Sequence, residues 1–265
     1  MNLCSIASGS SGNCIYVGSD HTSLLVDVGI SGKRIEEGLR TIDRTTKDCD
    51  GILITHEHSD HIKGLGVVSR KYKIPIYCTE GTRNRLQGMT SLGKMPEGLY
   101  HVIKADEVFS IGDLDIHPFQ ISHDAAEPVG YRVNHGEKSV GIATDLGKYN
   151  HYIVDRLQGL DALLLEANHD VNMLQVGPYP YALKQRILGE KGHLSNESAG
   201  RLLCRLLHDK MKEILLGHLS KENNYEALAY ETVCSEVTMG ENPWYSSDFK
   251  ISVAHRDCAS ELIIV

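Results

Sequence analysis

Stacking aromatics are scarce in this sequence, with three Phe and one Trp among 265 residues, so it offers few platforms for unpaired bases. No apolar run approaches the roughly 18 residues that a membrane span requires. Met1 to Asn13 hold no basic cluster ahead of an apolar stretch and so do not read as a secretory leader. Seven cysteines, an odd number, stand at irregular spacings without a CxxC pair, which argues against a disulfide framework. Reduced thiols fit better. These absences predict a soluble, cytoplasmic protein without membrane association.

Positive charge is also short: 27 Lys and Arg stand against 35 Asp and Glu, a formal charge of −8. Nucleic-acid affinity comes largely from neutralising phosphates, so this balance argues against a broad polyanion-binding surface. Basic clusters remain at Arg70, Lys71 and Lys73, at Arg83 and Arg85, and at Lys184, Arg186 and Lys191. Read simply, they are solvated helix faces. Bound divalent cations can nevertheless reverse the sign of a site.

The chain has enough apolar residues, 41%, to bury a substantial core. Strand-length runs separated by glycine turns open it: NLCSIA, NCIYVGS and SLLVDVG. A helix is expected over 31–40, then the apolar run GILIT, then a short helix from Ser59 that turns Ile62, Leu65, Val67 and Val68 to the core. A strand at 74–78 and the runs EVFSI, LDIHPFQI, VGYRVN and SVGIAT follow. DALLLEA and EILLGH read as buried strands, and 195–208 as an amphipathic helix capped by Ser195. No linker divides the chain, so residues 1–265 are expected to form a single α/β domain with a two-sheet core and helices outside.

The densest chemical signal is Thr55-His56-Glu57-His58-Ser59-Asp60-His61, placed directly after an apolar strand. Neutral imidazoles and carboxylates suit Zn, Mn and Fe, and this spacing on a strand-to-helix loop can feed two ions. Four ligands do not complete two coordination spheres. Three more polar residues follow apolar runs: His123 after QIS, Asp145 after IAT and His218 after LLG. Asp27, in LLVDVG, is expected either to orient a ligand imidazole or to cap the helix that begins at Ser31.

In this order, Asp27, His56-x-His58-x-Asp60-His61, His123, Asp145 and His218 resemble the motifs of the metallo-β-lactamase superfamily over nearly the whole chain. ASGSSGN, THEHSDHIKGL, GIATDLG, LLLEANHD and the GHLS repeat are similar to its YycJ/WalJ-like branch. The resemblance implies a four-layer αββα sandwich of two similar halves. It further implies a binuclear phosphodiesterase, a 5′-to-3′ exonuclease on double-stranded DNA, linked to mismatch-repair or replication proteins. One ion would be held by His56, His58 and His123 and the other by Asp60, His61 and His218, with Asp145 bridging. Water between two such ions, about 3.5–4 Å apart, is a strong hydroxide nucleophile at neutral pH.

Asp60 is then both a ligand and a catalytic carboxylate. His193 and His169 are alternative proton donors to the leaving alkoxide. Ser10, Ser11 and Asn13 form either a phosphate-binding wall or a flexible turn. Ser195 and Asn196 either present a helix N-terminus to phosphate or merely cap and pack. The competing function is hydrolysis of a small thioester, lactone or cyclic phosphodiester on the same scaffold.

Overall fold

The computed structural model describes residues 1–265. The first half builds β1 (Asn2–Ala7), β2 (Cys14–Gly18), β3 (Ser23–Val26), β4 (Gly51–Leu53), β5 (Ile76–Thr79) and β6 (Tyr100–Ile103). The second builds β7 (Phe109–Ile111), β8 (Leu114–Gln120), β9 (Val129–His135), β10 (Lys138–Ala143), β11 (Ala162–Glu166), β12 (Glu213–Gly217) and β13 (Lys250–Val253). A last strand, β14 (Ile263–Ile264), returns to pair with β1. The sheet orders are β14-β1-β2-β3-β4-β5-β6 and β13-β12-β11-β10-β9-β8-β7.

Both sheets follow one pairing plan. β14 through β3 are antiparallel and β3 through β6 parallel. β7 through β10 are likewise antiparallel and β10 through β13 parallel. Val26 faces Ile15 on one side and Leu53 on the other, as Ile142 faces Tyr131 and Leu164. The two halves are therefore structural repeats.

Apolar residues fall into three layers. The central cluster joins the facing sheets through residues such as Leu3, Ile15 and Leu53 from one, and Ile116, Tyr131 and Leu164 from the other. Tyr131 is fully buried and donates its hydroxyl to the Ile54 carbonyl at 2.8 Å, satisfying a polar tip that would otherwise be costly to bury. A second cluster packs α1 (Gly32–Arg40), α2 (Ser59–Ile62), α3 (Leu65–Tyr72) and α4 (Glu80–Gln87) on the outside of sheet one. A third packs α5 (His151–Leu157), α8 (Asn196–Leu206) and α9 (Glu226–Met239) on sheet two. The architecture is a four-layer αββα sandwich. Two short helices, α6 (Val171–Val176) and α7 (Tyr181–Leu188), form an excursion between β11 and α8.

Helix α8 shows how local sequence sets an element. The Ser195 hydroxyl accepts from Ser198 N at 3.2 Å, and Ala199, Leu202, Leu203 and Leu206 form its buried stripe. The helix expected from Ser59 departs from the reading: it breaks at Lys63 and Gly64, and Val67 is 55% exposed instead of facing the core. Gly64 allows the close passage, since a Cβ there would overlap the Ile30 carbonyl. The phase of the apolar stripe is reset at that point.

Candidate metal centre

Parallel strands discharge their carboxyl ends at one edge, where open α/β sheets place their ligands. Asp27 follows β3, His56 to His61 follow β4, Asp145 follows β10, Glu166 ends β11 and His218 follows β12. Asp27, Asp145 and His218 have φ of 62°, 57° and 56°. Left-handed backbone is uncommon for residues other than glycine and costs on the order of 1–3 kcal/mol. Here it turns three polar side chains back over the sheet edge.

The ligand atoms converge in overlapping sets: His56, His58 and His123; His56, His61 and Asp145; Asp60, His61 and His218; and Asp145, Glu166, His193 and His218. Within each set all ligand atoms lie within 4.8 Å of one another. Asp145 is the hinge, with Oδ2 3.1 Å from His61 Nε2 and Oδ1 3.6 Å from both His123 Nε2 and His218 Nε2. His56 Nε2 and Asp145 Oδ2 are buried without a hydrogen-bond partner, a costly state unless a cation receives them. This orphaned pair, with the imidazole and carboxylate donors around it, fits divalent metal ions.

Hydrogen bonds to the far ring nitrogens fix the tautomers. Thr55 donates its hydroxyl to Asp27 Oδ2 at 2.8 Å, so His56 Nδ1, 3.0 Å from Thr55 Oγ1, is the donor to Thr55. His61 Nδ1 gives its proton to Asp27 Oδ2 at 2.7 Å, and His123 Nδ1 to the Gly192 carbonyl at 3.1 Å. His56, His61 and His123 are thereby left with Nε2 toward the centre. Such outer partners orient metal ligands and raise their basicity. Asp27 stands behind His61 as such a partner would and does not cap the helix at Ser31, whose own hydroxyl accepts from Arg34 N.

Glu166 is the functional residue that the sequence reading did not assign. Fully buried, it takes His193 Nδ1 and His218 Nδ1 on Oε1, each at 2.8 Å, and Leu146 N and Leu194 N on Oε2. Its signal was an acid ending an apolar strand, LLLE, as in LLVD. Burial acts to raise its pKa, but His193 and His218 bring it to about 2. Burial acts the other way on His218, where Asp145, Asp60 and Glu166 prevail and raise the imidazole to about 10. His56, by contrast, is held well below its ordinary value by burial and by His61. The carboxylates demand positive charge, and without metal only protons can supply it.

Of the two expected proton donors, the structure brings His193 to the ligand atoms: its side chain is 17% exposed, with Nδ1 3.6 Å from Asp145 Oδ1. His169 lies outside every ligand set, buried, its Nε2 unpartnered and its pKa pushed down to about 4 by burial. That placement does not support proton donation.

The loop at 8–13 is fixed against the centre: Ser8 Oγ accepts from His218 N, and Asn13 N donates to the Asp60 carbonyl. Ser10 and Ser11 are exposed on it, whereas Asn13 is fully buried, with Nδ2 3.2 Å from His61 Nε2 and Oδ1 accepting from Gly9 N. Asn13 is thus a clamp on the loop and not a phosphate contact. The same correction holds for Asn196, buried in an amide pair with Asn224, and for Ser195, whose hydroxyl caps α8. Their polar atoms are already engaged.

This fold with this ligand set defines a metallohydrolase, and the chain belongs to the metallo-β-lactamase superfamily, residues 22–218 matching the family described as Beta-lactamase superfamily domain. Within it, the chain is 43% identical to Exodeoxyribonuclease WalJ of Streptococcus pneumoniae over 261 residues, 97% of this chain and 95% of that protein. It is 42% identical to Exodeoxyribonuclease YycJ of Bacillus anthracis over 232 residues, 86% of each. Unliganded yeast PDE1 superimposes with a TM-score of 0.71 at 14% identity, covering 100% of this chain and 99% of that one. At that identity the likeness concerns the fold alone.

Proposed function

We propose that the chain is a two-metal exodeoxyribonuclease that degrades double-stranded DNA from 5′ to 3′. The carrying observation is Asp145, buried between two histidine sets with an oxygen no protein group satisfies. The relatives named exodeoxyribonuclease supply the substrate class. His56, His58 and His123 would hold one ion and Asp60, His61 and His218 the other, with Asp145 available to both. Mn, Zn and Fe all suit these donors. When bound, two such ions activate water and neutralise charge on phosphoryl oxygens.

The protein's own part is orientation and proton delivery. Asp27 and Glu166 hold His61 and His218 in one tautomer. As a water oxygen bonds to phosphorus and the P–O3′ bond breaks, His193 donates the proton that the departing O3′ needs. Asp60, at the mouth with 22% of its side chain exposed, is both ligand and catalytic carboxylate. Ser10 and Ser11, the latter with its hydroxyl accepting from Arg256 at 3.2 Å, are the exposed rim groups offered to phosphate oxygens. We read residues 1–265 as one domain working in the cytoplasm, where mismatch-repair or replication proteins are the partners. No helix is long and apolar enough to cross a membrane.

Linear duplex DNA labelled at the 5′ end on one strand, or at the 3′ end, tests this reading with metal-loaded protein. Early release of the 5′ label as mononucleotide, with the 3′ label retained in long fragments, supports it. Undegraded DNA together with turnover of a thioester, lactone or cyclic nucleotide would transfer the function to a small substrate.

A further inference from the structure

Next to the metal centre lies a cavity of about 380 Å³ that the chemistry above does not use. His123 forms part of its wall, so cavity and centre share a side chain. Its volume falls in the range of small-ligand sites, roughly 300–1,000 Å³. The other walls come from residues 120–122 and 125–128, from Lys148, Asn150, Tyr152 and Ile153, and from Lys191.

The two lysines are tied by sequence to the site. Lys148 follows Asp145 by three residues, and Lys191 precedes His193 by two. Both are exposed. Lys191 has no carboxylate within ion-pair distance, and Lys148 pairs only with Glu190, itself 76% exposed, an arrangement worth little in water. The one acid in the lining, Glu127, accepts Gly81 N on Oε2 at 2.7 Å.

The loops holding these lysines are fixed relative to one another. Ser122 donates its hydroxyl to the Glu190 carbonyl at 2.7 Å and accepts Gly147 N on its own carbonyl at 2.8 Å. A Cβ at Gly147 would overlap the Glu190 backbone, so only glycine permits this close approach. Two cations are therefore presented on braced loops, one side chain away from the ligand set.

We infer that this cavity is the site of the terminal nucleotide: it binds a nucleoside 5′-monophosphate unit, with the end phosphate on Lys148 and Lys191 and the sugar toward His123. The inference rests on the nuclease reading and deepens it, because seating one end nucleotide beside the metals makes the cut exonucleolytic. A 5′-phosphorylated end is then preferred to a 5′-hydroxyl end.

The test uses metal-loaded protein titrated calorimetrically with deoxyadenosine 5′-monophosphate. It compares the natural sequence, the Lys148→Ala/Lys191→Ala double variant and a control, Lys33→Ala, on α1. Both lysines are exposed, and thermal melts check that the variants stay folded. We expect the double variant to bind at least tenfold more weakly and the control within twofold of the natural protein. Equal binding by the double variant, or equal weakening in the control, overturns the site.

A second measurement compares degradation of duplexes with 5′-phosphate and 5′-hydroxyl ends. Preference for the phosphate that disappears in the double variant supports the site, and a preference unchanged in that variant refutes it. Lysine-dependent nucleotide binding without any DNA degradation would uphold the cavity and remove the nuclease reading. Degradation with lysine-independent nucleotide binding would do the reverse.

Discussion

Glu166 Oε1 lies 2.8 Å from His218 Nδ1, on the opposite sheet from the 2.7 Å contact between Asp27 Oδ2 and His61 Nδ1. Each repeat thus supplies one buried carboxylate that holds a ligand imidazole from behind. Both acids leave apolar strands, and neither is exposed. The centre is oriented symmetrically although its ligands come from unrelated motifs.

Replacing either acid by its amide keeps the shape and removes the charge. Asp27→Asn and Glu166→Gln are each expected to lower metal affinity by about 10–100-fold, the usual loss for such outer partners. Competition with a chelator of known affinity measures this. Unchanged affinity in both variants would show that the contacts do not orient the ligands.

The pH response of the metal-free protein follows from His218. Its pKa of about 10 lies above the ordinary value of 6.5, so protonation stabilises the fold fully below about pH 6.5 and this contribution is lost as pH rises through about 10. Metal replaces those protons, and ligand deprotonation favours its binding. The gap in Tm between metal-loaded and chelator-treated protein should therefore widen from pH 6 to pH 9. A constant or narrowing gap in thermal melts contradicts this assignment.

Gly29 tests how tightly the metal loop is seated. A Cβ there would overlap the Asp60 carbonyl, which is backbone and cannot rotate away. Gly29→Ala is expected to destabilise the fold by about 1–3 kcal/mol, as overpacking does, and to reduce bound metal by displacing Asp60. Denaturant melts with metal analysis measure both effects. A variant with full stability and full metal content would refute the packing argument.

Much of this candidate centre was legible because its residues stand at the ends of apolar runs or belong to one dense motif. The repeat of strands and the capped helix at Ser195 were legible for the same local reasons. Glu166 escaped although LLLE has the pattern of LLVD, since its acid sits within the last strand residue and not beyond it. Asn196 resembled a phosphate donor because its partner, Asn224, stands 28 residues away and leaves no local trace. Helix α9 buries only Ala229, Val233 and Val237, a stripe too narrow to separate from its other apolar residues. Strand β14 has two residues and pairs with the opposite end of the chain, a contact no local pattern announces.

Whether Asp145 joins two ions in one site is read by counting metal per chain in the natural protein and in Asp145→Ala after reconstitution and desalting. The geometry predicts two equivalents in the former and a loss of both tight sites in the latter, with overall folding retained by circular dichroism. One equivalent in the natural protein, or two retained without Asp145, would contradict a bridged binuclear centre.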